Sequence, residues 1–205
     1  MDEKRQYREA IDALAAGGLV ALPTDTVYGL CAVAADDAAV RRLYDVKSRP
    51  ADQPLPLFVA SVEQAELVAE VNDSARALAV AFWPGALTIV LRRRPSYRTL
   101  AAGGGETIGV RVPDDAAIRE IAAQLGPLTG TSANRSGGPE ARTAQEVDAQ
   151  LDGSVDVIVD APVRGNARTS TVVDCSDTGN VRVVREGAIE RAPIAEALAG
   201  LTTLI

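Results

Sequence analysis

Two periods organise the apolar positions of this chain. Tyr7, Ala10, Ile11 and Leu14 recur at the spacing of one helix face, and Gly17-Gly18 ends that pattern. The apolar run 19–22 predicts a strand. The polar turn Pro23-Thr24-Asp25-Thr26 follows, then a second apolar run over 30–34. A helix is predicted over 36–46, with Val40, Leu43, Tyr44 and then Lys47 along one stripe. Residues 55–60 read as a strand, and Ser61 with Gln64 forms a capping box that opens a third helix. A fourth helix covers 73–82 and stops at Pro84-Gly85.

Further along, 87–91 and 108–112 read as strands around a loop, 92–105, rich in Arg and Gly. Asp114-Asp115 caps a short helix running to 124, and 128–131 is a brief strand entering a polar loop. Thr143 with Glu146 is another capping box. Strands are predicted over 155–159, 171–175 and 181–184, and a last amphipathic helix over 194–198. Strands and helices interleave without strict βαβ alternation. The expected class is therefore α/β, with a mixed, twisted parallel and antiparallel sheet flanked by helices. No linker suggests a boundary, so residues 1–205 are expected to form a single domain.

Composition narrows the chemistry. At 47% hydrophobic, with one Trp, two Phe and four Tyr, the interior must be filled largely by Ala, Val and Leu. No apolar run approaches the roughly 20 residues of a membrane span, and the charged N-terminus leads into no apolar segment. A cytoplasmic protein without membrane contact is expected. The formal charge of -7 disfavours tight, autonomous nucleic-acid binding, so any contact with RNA is expected to be weak. The chain has no histidine, which excludes Ser-His-Asp and Cys-His nucleophiles and His-ligated zinc. Cys31 and Cys175 stand far apart in apolar runs and read as reduced, buried thiols.

Several polar segments could carry chemistry. In Lys47-Ser48-Arg49-Pro50 two cations leave a helix end together, where they can meet an anion or simply favour the helix dipole. The run Thr129–Gly138 is dense in hydroxyls and small residues, as a phosphate-binding loop or an ordinary turn would be. It is not a Walker A sequence. Gly103-Gly104-Gly105 reads better as a hairpin tip than as a phosphate cradle, and Arg92-Arg93-Arg94 as a solvated strand end. Asp25 either holds an ammonium group or caps its own turn, with the cap favoured. Arg111 sits inside an apolar strand and needs a carboxylate, from the protein or from a ligand.

Taken in series, PTDTVYGL at 23–30, KSRP at 47–50, WPGALTIVL at 83–91 and TIGVRVP at 107–113 resemble the YrdC/TsaC family of threonylcarbamoyl-AMP synthases. TSANRSG at 131–137, STVVD at 170–174 and VREGAI at 184–189 complete the set in the family's order, over about residues 5–190. The short, single-domain form of that family is the one resembled.

The resemblance implies a YrdC-like fold and an L-threonylcarbamoyladenylate synthase, a nucleotidyltransferase. Such an enzyme uses ATP with Mg²⁺, bicarbonate or CO2, and L-threonine. It releases pyrophosphate and hands threonylcarbamoyl-AMP to a tRNA threonylcarbamoyl transferase complex. Lys47 and Arg49 match the cations at the triphosphate and are the expected catalytic pair. Gln53, Thr107, Ser132, Asn134 and Arg185 match further ATP contacts. Thr26, Arg111 and Ser170 match the L-threonine site, with Arg111 facing the carboxylate. No protein side chain is implied as a metal ligand; Mg²⁺ rides on ATP. Gln53 replaces an Asn common in the family, Phe58 stands where some members have histidine, and Glu140 replaces a Ser of many long members.

Overall fold

The structure is a computed structural model and describes residues 2–164, 168–177 and 179–205. Helix α1 (Glu3–Ala15) starts where the Asp2 carboxylate accepts from Lys4 N–H, and it ends before Gly17, whose positive φ takes the chain out of the helix. Strand β1 (Val20–Leu22) and strand β2 (Gly29–Cys31) pair antiparallel across the 23–28 turn. Helix α2 (Asp37–Lys47) is capped by Asp36, which accepts from Ala38 and Ala39 N–H. It buries Val40, Leu43, Tyr44 and Lys47, the stripe the sequence spacing predicts, and ends at Ser48 in the left-handed region.

Strand β3 is only Leu57–Phe58, shorter than the 55–60 expected from its apolar run. Pro54 and Pro56 lack the N–H groups a longer ladder needs. Helices α3 (Val62–Val68) and α4 (Asp73–Phe82) follow, with side-chain caps from Ser61 and Asn72. Strands β4 (Leu87–Arg92) and β5 (Thr107–Arg111) pair antiparallel. In the connection between them a short 3-10 turn, Leu100–Ala102, ends at Gly103, so the triple glycine serves local geometry. Of the arginine run, Arg92 is exposed as expected, while Arg93 donates to Tyr97 O and Arg94 to Glu66 O.

Helix α5 (Ala116–Leu125) is capped by Asp115. The strand expected over 128–131 is two: β6 (Leu128–Thr129) and β7 (Thr131–Ser132), which belong to different sheets. Gly130 is the crossing point, its N–H donating to Pro56 O. Helix α6 (Ala144–Leu151), strands β8 (Val157–Ile158), β9 (Thr171–Asp174) and β10 (Asn180–Arg185), helix α7 (Arg191–Ala197) and strand β11 (Thr203–Leu204) complete the fold.

The strands form a seven-stranded sheet, β11-β10-β9-β4-β5-β3-β6, and a four-stranded sheet, β7-β2-β1-β8. Both mix parallel and antiparallel pairs. β1 is buried on both faces. Leu19 and Ala21 join the larger core with Leu30, Leu43 and Ile89, and Val20 and Leu22 join a second cluster with α1 and α5. Rigid sheet ends thus surround one cleft, fed by the 23–28 turn, the C-terminal ends of β5 and β10, the start of β9 and the β6–β7 crossing.

Candidate functional site

That cleft holds a cavity of about 160 Å³. Of the residues singled out in the sequence, Thr26, Arg49, Arg111, Ser132, Ser170 and Arg185 line it. Thr24, Pro56, Gly130 and Thr169 line it as well, together with Phe58 and Glu140.

Arg111, at the last position of β5, is almost fully out of solvent. Its Nε donates to Gly85 O at 2.8 Å, Nη1 to Thr26 Oγ1 at 3.2 Å and Nη2 to Asp25 Oδ1 at 2.5 Å. The carboxylate that a strand-embedded guanidinium requires is therefore Asp25. This corrects the reading of Asp25 as its own turn's cap. The turn is tied instead by Thr24, whose Oγ1 accepts from Thr26 and Val27 N–H and donates to Val27 O. A hydroxyl one residue earlier leaves the Asp25 carboxylate free to reach β5. Burial pushes the Arg111 pKa down, Asp25 opposes that, and nearby Arg185 adds to it. Two guanidiniums face one cleft, which a bound anion would relieve.

Phe58 stacks under Arg111, with the guanidinium carbon 5.7 Å from the ring centroid. The ring fits because Gly130 has no side chain: a Cβ there would stand 2.7 Å from two ring carbons. Across the cleft, Arg185 Nη2 donates to Ser170 O at 2.8 Å and to Ser170 Oγ at 3.2 Å. Burial lowers the Arg185 pKa and Glu140 raises it. Gly187 lets the chain after β10 lie directly on the 169–171 backbone, where any Cβ would collide. Ala188 N–H donates to Thr169 O at 2.9 Å and clamps Ser170 in place.

Lys47 turns inward, away from Arg49. Its Nζ donates to the carbonyls of Ser132 and Asn134 at 2.5 and 2.6 Å, so the ammonium ties α2 to the 131–138 loop. Burial, with Arg49 adding, pushes its pKa down to about 8. Arg49 stays at the mouth, donating to Gln53 O and Pro54 O. Asn134 is buried behind the loop: its Nδ2 donates to Arg135 O and Gly138 O, while Oδ1 has no partner. Gln53 lies on the 48–56 loop. Thr107, paired with Arg92, begins the strand that Arg111 ends. Lys47, Gln53, Thr107 and Asn134 do not line the cavity. Both cysteines are buried and free, with thiol pKa values pushed up to about 12 by burial. Among the described residues no cluster of three His, Cys, Asp or Glu side chains could hold a metal ion, and no helix is long and apolar enough to cross a membrane.

Fold and cleft together define a mixed α/β protein whose cleft is lined by guanidinium groups and hydroxyls. The chain belongs to the Sua5/YciO/YrdC family, whose model, described as telomere recombination, matches residues 12–187. It is 39% identical over 177 residues to a threonylcarbamoyl-AMP synthase of Pyrococcus abyssi, covering 85% of this chain and 52% of that protein. It is 38% identical over 195 residues to a putative threonylcarbamoyl-AMP synthase of Mycobacterium leprae, covering 95% and 88%. Among solved structures, Pyrococcus abyssi Sua5 complexed with L-threonine superposes with a TM-score of 0.89 at 34% identity, over 99% of this chain and 60% of that one. The chain thus spans between half and two thirds of the Pyrococcus proteins.

Proposed function

We propose that this chain is an L-threonylcarbamoyladenylate synthase, a nucleotidyltransferase of the cytoplasm acting in tRNA modification, with residues 1–205 working as one unit. The observation that carries this reading is the convergence of Arg111, Arg185 and Ser170 on one small cavity. At about 160 Å³ it is well below the roughly 300 Å³ at which sites for drug-sized ligands begin, so its enclosed part suits an amino acid. Similarity to a relative solved with L-threonine supports the same choice. The nucleotide would lie across the open mouth, at Arg49 and Ser132.

In this reading Thr26, Arg111 and Ser170 hold L-threonine, its carboxylate on the Arg111 side. Lys47 and Arg49 neutralise the triphosphate, and Gln53, Thr107, Ser132, Asn134 and Arg185 complete the ATP site. Mg²⁺ arrives on the ATP phosphates. The threonine amine and bicarbonate condense to a carbamate with loss of water. A carbamate oxygen then attacks the α-phosphorus of ATP, and the bond to the β-phosphate oxygen breaks as pyrophosphate leaves. This step needs positioning and charge neutralisation, both of which an arginine-lined cleft supplies without imidazole or thiolate. The product passes to a tRNA threonylcarbamoyl transferase complex, with only weak contact between this chain and RNA.

The test is product analysis. Purified chain incubated with ATP, Mg²⁺, L-threonine and labelled bicarbonate should yield label in a threonylcarbamoyl adenylate. Label remaining wholly in bicarbonate, with folded protein, contradicts the reading.

A further inference from the structure

Thr88 stands behind the cavity wall on β4 and is 4% exposed. Its Oγ1 lies 2.9 Å from Ser170 Oγ, and either atom could donate. The surroundings decide the direction. Arg185 can only donate, so it occupies one lone pair of Ser170 Oγ. Thr88 Oγ1 has no other hydrogen-bond partner among the described residues. On its other side the Thr88 methyl packs where Gly109 leaves room: a Cβ on Gly109 would stand 3.2 Å from it. If Ser170 donated to Thr88, the Thr88 proton would be stranded in a buried wall, which costs free energy. Thr88 therefore donates. Ser170 Oγ then accepts twice, from Thr88 and from Arg185, and its own proton can point only into the cavity it lines.

We propose that Thr88 is a positioning residue that makes Ser170 an obligate hydrogen-bond donor toward the ligand, so that this spot accepts an oxygen and rejects an ammonium group. Thr88 never touches the ligand; it acts through Ser170. The identity of the ligand as L-threonine rests on the function proposed above.

Thr88→Val keeps the side chain's shape and removes its hydroxyl, and Thr88→Ser restores a donor. Thr88→Val removes the anchor of Ser170 and leaves its oxygen a free lone pair, so it should raise the KM and Kd for L-threonine several-fold, up to about tenfold, the worth of the one neutral hydrogen bond that holds Ser170 in position. The KM for ATP and kcat should stay within twofold, and Thr88→Ser should recover most of the loss. In a Ser170→Ala background, Thr88→Val should weaken L-threonine binding no further. Equal loss of ATP and threonine affinity, or additive losses in the double variant, would show a merely structural role and overturn the proposal. Calorimetric titration of L-threonine separates the two levels. A wild-type chain that binds L-threonine but releases no pyrophosphate contradicts the synthase reading and leaves the Thr88 effect measurable on Kd. A wild-type chain that does not bind L-threonine overturns both.

Discussion

The guanidinium of Arg111 and the carboxylate of Asp25 meet at 2.5 Å with side chains only 4% and 11% exposed. The pair joins the 23–28 turn to the end of β5, so one ion pair fixes both walls of the cleft. Removing one member of such a pair leaves the other charge buried, which costs about 3 kcal/mol or more. Asp25→Ala should therefore lower the melting temperature by about 6–12 °C for a chain of this size. Asp25→Asn, which still offers an oxygen to Arg111, should lose clearly less. Thermal denaturation followed by circular dichroism checks both, and equal losses would mean that the lost charge accounts for the whole effect and the retained oxygen for none of it.

Gly130 and Phe58 share one space. Gly130→Ala would drive the ring toward the cavity or the β6–β7 crossing apart, because the new methyl group needs room that two ring carbons already occupy. A destabilisation of about 1–3 kcal/mol is expected. L-threonine binding should weaken with it, and Phe58→Leu added to Gly130→Ala should restore part of both. Urea titration and ligand calorimetry on the single and double variants test this. A double variant no better than Gly130→Ala alone would place the strain elsewhere.

Lys47 gives the cleft a pH dependence. Its pKa is pushed down from 10.5 to about 8, chiefly by burial. Below pH 8 it is charged and carries the whole cost of burial. Between about pH 8 and 10.5 the folded chain has released a proton that the unfolded chain still holds, so stability rises with pH across that window. The neutral amine can still donate to the Ser132 and Asn134 carbonyls, so the loop stays tied while the charge is lost. Relative to Lys47→Met, the wild-type chain should gain stability between pH 7 and pH 10 in urea titrations, while its turnover falls above pH about 8. A stability difference that does not change with pH would contradict this.

Much of the fold was legible because the helices announce themselves by period and cap. Ser61, Thr143 and Asp115 cap as their spacing implies. The strands were harder, since a two-residue strand leaves no period to read. The run 128–131 looks like one strand because nothing in its side chains marks the change of sheet at Gly130; that change is set by what Pro56 and Phe58 present from elsewhere. β11 escaped notice because Thr203–Leu204 is recruited by the backbone edge of β10. In the cleft, Arg111 was conspicuous as a charge in an apolar run, and its need for a carboxylate was legible, but not that Asp25 would supply it. Lys47 pointed inward as its stripe required, yet its partners, two carbonyls some 85 residues away, have no sequence signature. Thr88 lies inside the predicted strand 87–91, and nothing in its neighbours along the chain singles it out.

Pyrophosphate release by the purified chain from ATP, Mg²⁺ and bicarbonate, with and without L-threonine, distinguishes a synthase from a binding protein of the same fold. Release that depends on L-threonine, is much weaker with L-serine and is abolished by Arg111→Ala in a folded variant is the predicted result. No release with any amino acid, or release indifferent to L-threonine, would contradict a threonylcarbamoyladenylate synthase.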